Sequence, residues 1–404
     1  MDSGDLPTLT VGQRIKLHRE RVGKTRAVLG GLVGRSAEWV KAVETGRLLP
    51  PRLPMLGQIA KALRVDLSAL IGSDEAVSVA VGPGHPQLPA VREALNRWPI
   101  RLDAEPEPLD HICVRLEAAW RARHAAPDHR TVVGALLPKL IRDAQRATWT
   151  SSGDQQRRAY AVLANVLGLT QMFLAYQPAA DLVWRTVDRA MLAAQESADP
   201  LALAGATWFA AAAHCETGDW DTAMTVVLDT VRAIEPVLPD ASNDLLAMWG
   251  ALQVEAAHTA ARAGEAGKAW RHLDIAADVA KRLPDDYHQT WSSFGKAIMG
   301  PHAVTVEVEL RKGGHALRHA ERSAPDAIPS RPRRARHLIE VARGHQLRND
   351  KEAMLVNLDR AYQTAPETIR YNGFARSMVR ELLDGPVPHR RRAHDLAVKV
   401  GLVQ

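Results

Sequence analysis

Between Thr10 and Gly72 the apolar positions come in short runs at helical spacing, each closed by a turn residue. Val11, Ile15, His18 and Val22 recur at intervals of four and three and stop at Gly23. Thr25 caps a second run that reaches Leu32 and ends at Gly34; Ser36 caps a third, in which Val40 and Val43 face inward before Gly46. Such intervals place side chains on one helical face, a small hydroxyl at the start accepts from an unpaired amide, and glycine supplies the left-handed residue that ends a helix. A loop holding Pro50, Pro51 and Pro54 leads to a fourth face at Leu56, Ile59, Ala60 and Leu63, and a fifth at Leu67, Leu70 and Ile71. From Gly72 to Pro108 the segments GSDE, GPGHPQLP and AEPEP are too rich in glycine and proline for one regular element. They predict a connector, interrupted by a short helix at Val91 to Trp98.

Beyond the connector helical periodicity resumes almost to the end, with no convincing strand-like alternation. The runs are Leu109 to His124, Arg130 to Thr148, Gln156 to Tyr176, Pro178 to Glu196, Leu201 to Thr217, Trp220 to Ile234 and Asn243 to Ala263, continuing past Ala269. Short polar or glycine-containing turns join them in pairs, which predicts antiparallel helical hairpins. A helix, a turn and an alanine opening the next helix recur in CETGDWDTAM at Ala223, ARAGEAGKAW at Ala269, RKGGHALRHA at Ala316 and QLRNDKEAML at Ala353. These alanines are separated by 46, 47 and 37 residues, and Pro236 and Pro366 each follow their alanine by 13. The small residue permits close helix approach and the proline stops the second helix from continuing. The pattern divides the chain into a first domain at 1–74, a linker at 75–108 and a helical repeat domain at 109–404.

Charge sharpens that division. The 404-residue chain carries a net +6, and residues 1–72 hold 12 Lys and Arg against 6 Asp and Glu, so the remaining 40 of each balance. A basic module on a neutral body suggests a polyanion such as nucleic acid for the module, although extra arginines can equally form a solvated surface. No run of about 18 apolar residues occurs, and Met1 to Thr10 lacks the basic start and apolar core of a secretion signal. The expectation is a cytoplasmic protein with no membrane contact. Cys113 and Cys215 stand far apart without metal-site or disulfide spacing, and both are expected to be buried small hydrophobes.

Two short helices joined by a tight turn in a basic domain make a helix-turn-helix. The segment GQRIKLHRERVGKT, the Ser36-to-Gly46 helix ending in VETGR, and the closing IAKALRVDLSAL resemble the Xre-type, phage-repressor-like helix-turn-helix family across residues 10–72. The resemblance implies a five-helix domain that binds a double-stranded DNA operator, usually as a homodimer, with the Ser36 helix in the major groove. It also implies that Arg19 and Glu44 form a buried structural ion pair. Lys24 and Arg26 stand where the family typically has an apolar residue and a glutamine; both can meet phosphate, Arg26 from a helix N-terminus. In the third helix Glu38 can accept from cytosine, Ala37 or Ala42 can touch a thymine methyl, and Lys41 can reach base or phosphate. With Ser36, Arg35 and Arg47 these residues form the candidate DNA surface, short of the bidentate side chains that discriminate bases most strongly. Trp39 either meets the DNA or packs under the second helix, and its place four residues before Val43 favours packing.

Residues 156–383 resemble degenerate tetratricopeptide repeats, longer and less regular than the consensus. The implied fold is all-α: a five-helix helix-turn-helix domain followed by an α-solenoid of tetratricopeptide-like hairpins. Fusion of the two resembles a class of bacterial regulators, some of which sense short signalling peptides. Asn165, Trp208, His214, Trp249, His258 and Trp291 fall on helices expected to open hairpins, where they either line a groove for a peptide or small molecule or serve the core. Enzyme signatures are missing: no P-loop, no dinucleotide glycine pattern, no nucleophile elbow and no HExxH. His315 and His319 share a helical face, but the neighbouring Glu309 and Glu321 give no sign of converging on a metal. HRRRAH at 389–394 reads as a solvated helix start. The pattern therefore points to a transcription regulator without cofactor, metal or catalytic residues; the rival is an interaction scaffold whose repeats hold a partner while the N-terminal domain serves assembly.

Overall fold

The computed structural model describes residues 10–51, 53–63, 65, 70, 84–97, 107–217, 219–383 and 387–403. The described residues are helical, with no strand among them. The N-terminal helices are α1 (Val11–Arg21), α2 (Arg26–Leu32), α3 (Ala37–Glu44) and α4 (Leu53–Leu63). Each of the first three starts under a side-chain cap: Thr10 accepts from Gln13 N–H at 3.2 Å while Gln13 reaches back to Thr10 N–H at 2.8 Å, Thr25 accepts from Val28, and Ser36 from Trp39. Caps of this kind satisfy amides that have no partner within the helix. Helix α2 runs so close to the start of α3 that a Cβ on Gly30 would lie 2.5 Å from the Arg35 carbonyl oxygen. Ile15, Leu29, Val40, Val43, Ile59 and Leu63 close the core between the four. The expected fifth helix falls outside the described residues, apart from Leu70, which is buried.

Helix α5 (Leu88–Asn96) stands in the expected connector, yet it belongs to the body. Leu88, Val91, Ala94 and Leu95 repeat at helical spacing and are all buried in the body's main core. Pro89 in the first turn is compatible with the helix start, where its missing N–H costs nothing, and the apolar stripe makes the segment an integral layer rather than a spacer.

The body continues with α6 (Leu109–Ala125), α7 (His129–Thr150), α8 (Gly153–Leu174), α9 (Ala180–Ser197), α10 (Pro200–Thr217) and α11 (Trp220–Ile234). Next come α12 (Asn243–Arg262), α13 (Ala266–Arg282), α14 (Met299–Glu309), α15 (Gly313–Glu321), α16 (Arg331–Leu347) and α17 (Lys351–Thr364). Helices α18 (Pro366–Tyr371), α19 (Gly373–Leu383) and α20 (Val387–Lys399) finish the chain. Neighbours in sequence pack as hairpins, and α8, α10, α12, α14 and α16 also touch one another in succession, so they form the inner layer of a helical solenoid-like array.

The hairpin turns reveal the register of the repeat. Gly264, Arg311 and Asn349 each take a left-handed conformation, with φ of +81°, +63° and +58°. Five residues after them stand Ala269, Ala316 and Met354, all fully buried, whereas Ala353 is partly exposed. The fourth repeat is thus in register through Met354, one place beyond the alanine that the sequence pattern picks out. Cys215 is buried as expected, but Cys113 on α6 is only partly covered.

The array curls until a late helix, α18, meets an early one, α7. Glu367 of α18 accepts from the Arg130 and Thr131 amides of α7 at 2.5 and 3.2 Å and from the Thr131 hydroxyl at 2.5 Å. His85 Nε2 lies 3.4 Å away on the other side. No side chain of α7's own turn caps that helix, so a carboxylate from far along the chain does so, and it suits the positive end of the helix. No described helix is long and apolar enough to cross a membrane.

Candidate functional site

Helix α3 separates its residues cleanly into two faces. Trp39, Val40, Ala42, Val43 and Glu44 are buried, while Ser36, Ala37, Glu38, Lys41 and Thr45 are exposed. Ala42 is only 2% exposed, so it packs in the core and is withdrawn from the set that could meet a thymine methyl. Arg19 grips Glu44 through Nε at 2.5 Å and Nη2 at 3.1 Å, tying α1 to α3. Arg26 adds a third bond to the same carboxylate at 2.7 Å. Burial alone would raise the Glu44 carboxyl, but the two guanidiniums more than offset it and hold it below its ordinary range. Arg26 thus spends its charge partly within the fold, with its side chain still 36% exposed.

On the outer edge Glu38 accepts from Arg47 Nη2 at 2.6 Å and faces Lys41 at 3.8 Å. The hydrogen bond from Arg47, then the charge of Lys41, lowers its pKa. The exposed edge of α3 is therefore a small mixed-charge cluster with a net positive balance, suited to a phosphate backbone flanking one acceptor.

Arg35 points elsewhere. Its Nη1 donates to Asp221 Oδ2 at 2.6 Å, and its guanidinium lies 5.0 Å from the Trp220 ring centroid and 6.0 Å from that of Trp39. Trp39 meets Trp220 edge to face at 5.9 Å, so the indole that spacing assigned to packing is buried, against α11 of the body. Cys215, Trp220 and Ala223 join the N-terminal core, Leu48 sits against Gly264, and Arg311 Nε donates to the Gly46 carbonyl at 2.7 Å. The helix-turn-helix is seated on the hairpin turns of α10–α11, α12–α13 and α14–α15.

Inside the curl lies a cavity of about 240 Å³. Of the six groove candidates, Trp208 of α10 and His258 of α12 line it. Asn165 instead accepts from Trp120 Nε1 at 2.7 Å, His214 pairs with Asp219 and Trp184, and Trp249 donates to the Val231 carbonyl. Trp291 is not helical but lies in the loop before α14, where it fills the space left by Gly205. The residues that sequence reasoning missed are charged: Arg123, Arg130, Arg262, Arg333 and Arg336 all line the cavity. Arg333, Arg336 and His337 sit within RPRRARHLIEVAR, where polar residues fall on the inward face of an otherwise core helix, and that interruption was the available signal. Burial holds the His258 and His337 imidazoles neutral, with pKa values lowered to about 3 and about 4. His302 faces His258 at 5.1 Å between ring centroids and is likewise lowered by burial. Among the described residues no three His, Cys, Asp or Glu are grouped to hold a metal ion; His315 lies 3.9 Å from Glu307 while His319 leans on Trp270.

Residues 10–70 match the family model of a helix-turn-helix domain, which defines the class of the N-terminal part. Solved structures that match part of the chain include two regulators. One is the apo form of the competence regulator ComR from Streptococcus vestibularis, at 17% identity and a TM-score of 0.26 over 68% of this chain and 93% of that one. The other is Bacillus thuringiensis PlcR in complex with the peptide PapR7 and DNA, at 12% identity and a TM-score of 0.29 over 85% and 98%. No curated protein matches the chain.

Proposed function

We propose that the chain is a DNA-binding transcription regulator of the Xre type, with a tetratricopeptide-like body that senses a peptide or small-molecule signal. The observation that carries this reading is the capped α3, which turns Ser36, Ala37, Glu38 and Lys41 outward from a basic helix-turn-helix domain. Such an edge fits the major groove, with Arg26 and Arg47 at the flanks to meet phosphate. Arg19 and Glu44 keep α3 in place and do not touch DNA. Two copies joined through their bodies present α3 helices about 34 Å apart on a symmetric operator.

The seat on the body supplies the regulatory link. Helix α10 lines the cavity with Trp208, Phe209 and Glu216, and Trp220 and Asp221 begin the helix after it. A ligand that shifts α10 therefore shifts the two residues that hold Arg35 and Trp39. Release frees Arg35 for phosphate and frees the domain to match a second copy's spacing.

The test is selection of genomic fragments by the purified protein at about physiological salt, repeated with Lys41→Ala combined with Arg47→Ala. One enriched symmetric site, lost in the variant, is expected. For each phosphate contact removed, the salt dependence of binding should flatten by about one unit of slope. Equal weak binding of every fragment, unchanged in the variant, would overturn the reading in favour of an interaction scaffold.

A further inference from the structure

The cavity's charges do not balance. Arg262 faces Glu309 at 3.6 Å, Arg336 pairs with Glu340 at 2.8 Å, and Arg130 donates to the Phe173 carbonyl at 2.5 Å. Arg123 and Arg333 have no carboxylate within ion-pair distance among the described residues. Arg123 is 9% exposed; its Nη1 reaches no acceptor and its Nη2 finds only the Met172 sulfur, at 3.2 Å. Arg333 lies over the Trp208 ring at 5.4 Å. Glu255 acts on Arg333 from beyond ion-pair distance, and because burial pushes its own carboxyl up, it offsets that charge only in part.

Burying a guanidinium without a counter-ion is costly, and the strain is visible in Arg123, which burial and then the charge of Arg333 lower to about 9. A guanidinium does not shed its proton at neutral pH, so the imbalance persists until an anion arrives. Beside the two arginines, His258 Nε2 and both ring nitrogens of His337 are buried without a partner. The rest of the wall carries the carboxylates Glu216, Glu255 and Glu340 and a few neutral polar groups, with an apolar side formed by Met172, Val183, Trp208, Phe209 and Ile298. The volume of about 240 Å³ falls just under the 300–1,000 Å³ of drug-sized sites, which limits the occupant to a compact molecule.

We propose that the cavity binds a compact amphipathic organic acid, its carboxylate held between Arg123 and Arg333 and its apolar part laid against Met172, Trp208 and Phe209. This deepens, and rests on, the reading of the body as a sensor. The free acid of a small molecule and the C-terminal carboxylate of a short apolar peptide share this chemistry, and the small acid fits the cavity volume.

The test uses the full-length protein and a series of aromatic acids from benzoate to indole-3-butyrate, each paired with its uncharged amide. Thermal shift and calorimetric titration should show at least one acid stabilising the protein while its amide does not. Arg123→Met or Arg333→Met should weaken that acid by about ten- to a hundredfold, the loss of a charge-assisted hydrogen bond. Because methionine removes an unbalanced charge while keeping apolar bulk, the ligand-free R123M protein should melt no lower than the native one. A short apolar peptide with a free C-terminus, set against its amidated form, separates the sources: binding of the free form alone, with every small acid silent, keeps the carboxylate site but overturns the small acid. No acid-selective binding of either kind, equal binding of acids and amides, or a lower melting point for R123M overturns the proposal. The same acid added to a DNA titration reads the sensor separately: acid binding without any change in DNA affinity keeps the cavity site and removes the regulatory link.

Discussion

Removing Trp220 should strengthen DNA binding, because the residue's work in this fold is to seat the reader helix on the body. In Trp220→Ala, Arg35 loses a cation–π contact at 5.0 Å, worth about 0.5–2 kcal/mol. Trp39 loses an edge-to-face partner at 5.9 Å, worth about 0.5–1.5 kcal/mol beyond the area it buries. Together these weaken the docked state by about 1–3.5 kcal/mol, a change of roughly 5- to 300-fold in the ratio of docked to released protein. If docking withholds Arg35 from phosphate, apparent affinity rises by that factor until the released form predominates. Asp221→Ala removes only a surface ion pair, since the Asp221 side chain is 83% exposed, and should gain about fivefold at most. The assay is fluorescence anisotropy on the selected fragment at one fixed salt concentration, with Arg35→Ala as the control that loses both the seat and the phosphate contact. Affinities of W220A and D221A within twofold of the native protein would refute the competition between seat and operator.

Three further outcomes concern the body. Glu367→Ala should lower the urea midpoint by about 2–4 kcal/mol of stability, since three donors of α7 lose one charged acceptor, and Glu367→Gln should recover little because its amide turns a donor toward them; an unchanged midpoint would contradict the closure. Burial lowers His124 and His258 to about 3 and His337 to about 4, so at mildly acidic pH the unfolded chain binds protons that the folded one does not. Stability should therefore fall as pH drops below about 6.5 and keep falling towards those values, by up to about 1.4 kcal/mol per pH unit for each histidine, and urea midpoints that stay flat from pH 7.5 to 5 would count against it. Gly250→Ala places a Cβ 2.3 Å from Phe294 Cζ and should cost about 1–3 kcal/mol, measured by thermal melting; a melt unchanged from native would show that Phe294 has room to move.

Periodicity made the helices legible because each hairpin is local: the stripes that predict α6 to α12 are the stripes that those helices bury. The register of the fourth repeat slipped because alanine is only one solution to close approach, and Met354 fills the same place with a larger side chain. Helix α5 was legible as a short helix at Val91 to Trp98, but the glycine and proline around it hid that its stripe of Leu88, Val91 and Leu95 belongs to the body's core. The outward edge of α3 could be read from caps and spacing. What faces Arg35 could not, since Trp220 and Asp221 lie almost two hundred residues away and nothing local marks them as its partners. The cavity arginines were hidden for the same reason: a charge on an inner helix looks solvated until the array has curled around it.

The meeting of Glu367 with the first turn of α7 changes what kind of object the array is. An open stack of hairpins can lengthen by copying one unit, and each unit's stability depends only on its neighbours. Here one added or deleted hairpin would carry α18 away from Arg130 and Thr131, leaving a buried carboxylate and two bare amides. The number of units is thus fixed by this seam together with His124, which meets Ser330 and the Thr290 carbonyl, and a lineage carrying this fold can tune its hairpins one by one but cannot count them differently without first giving up that closure.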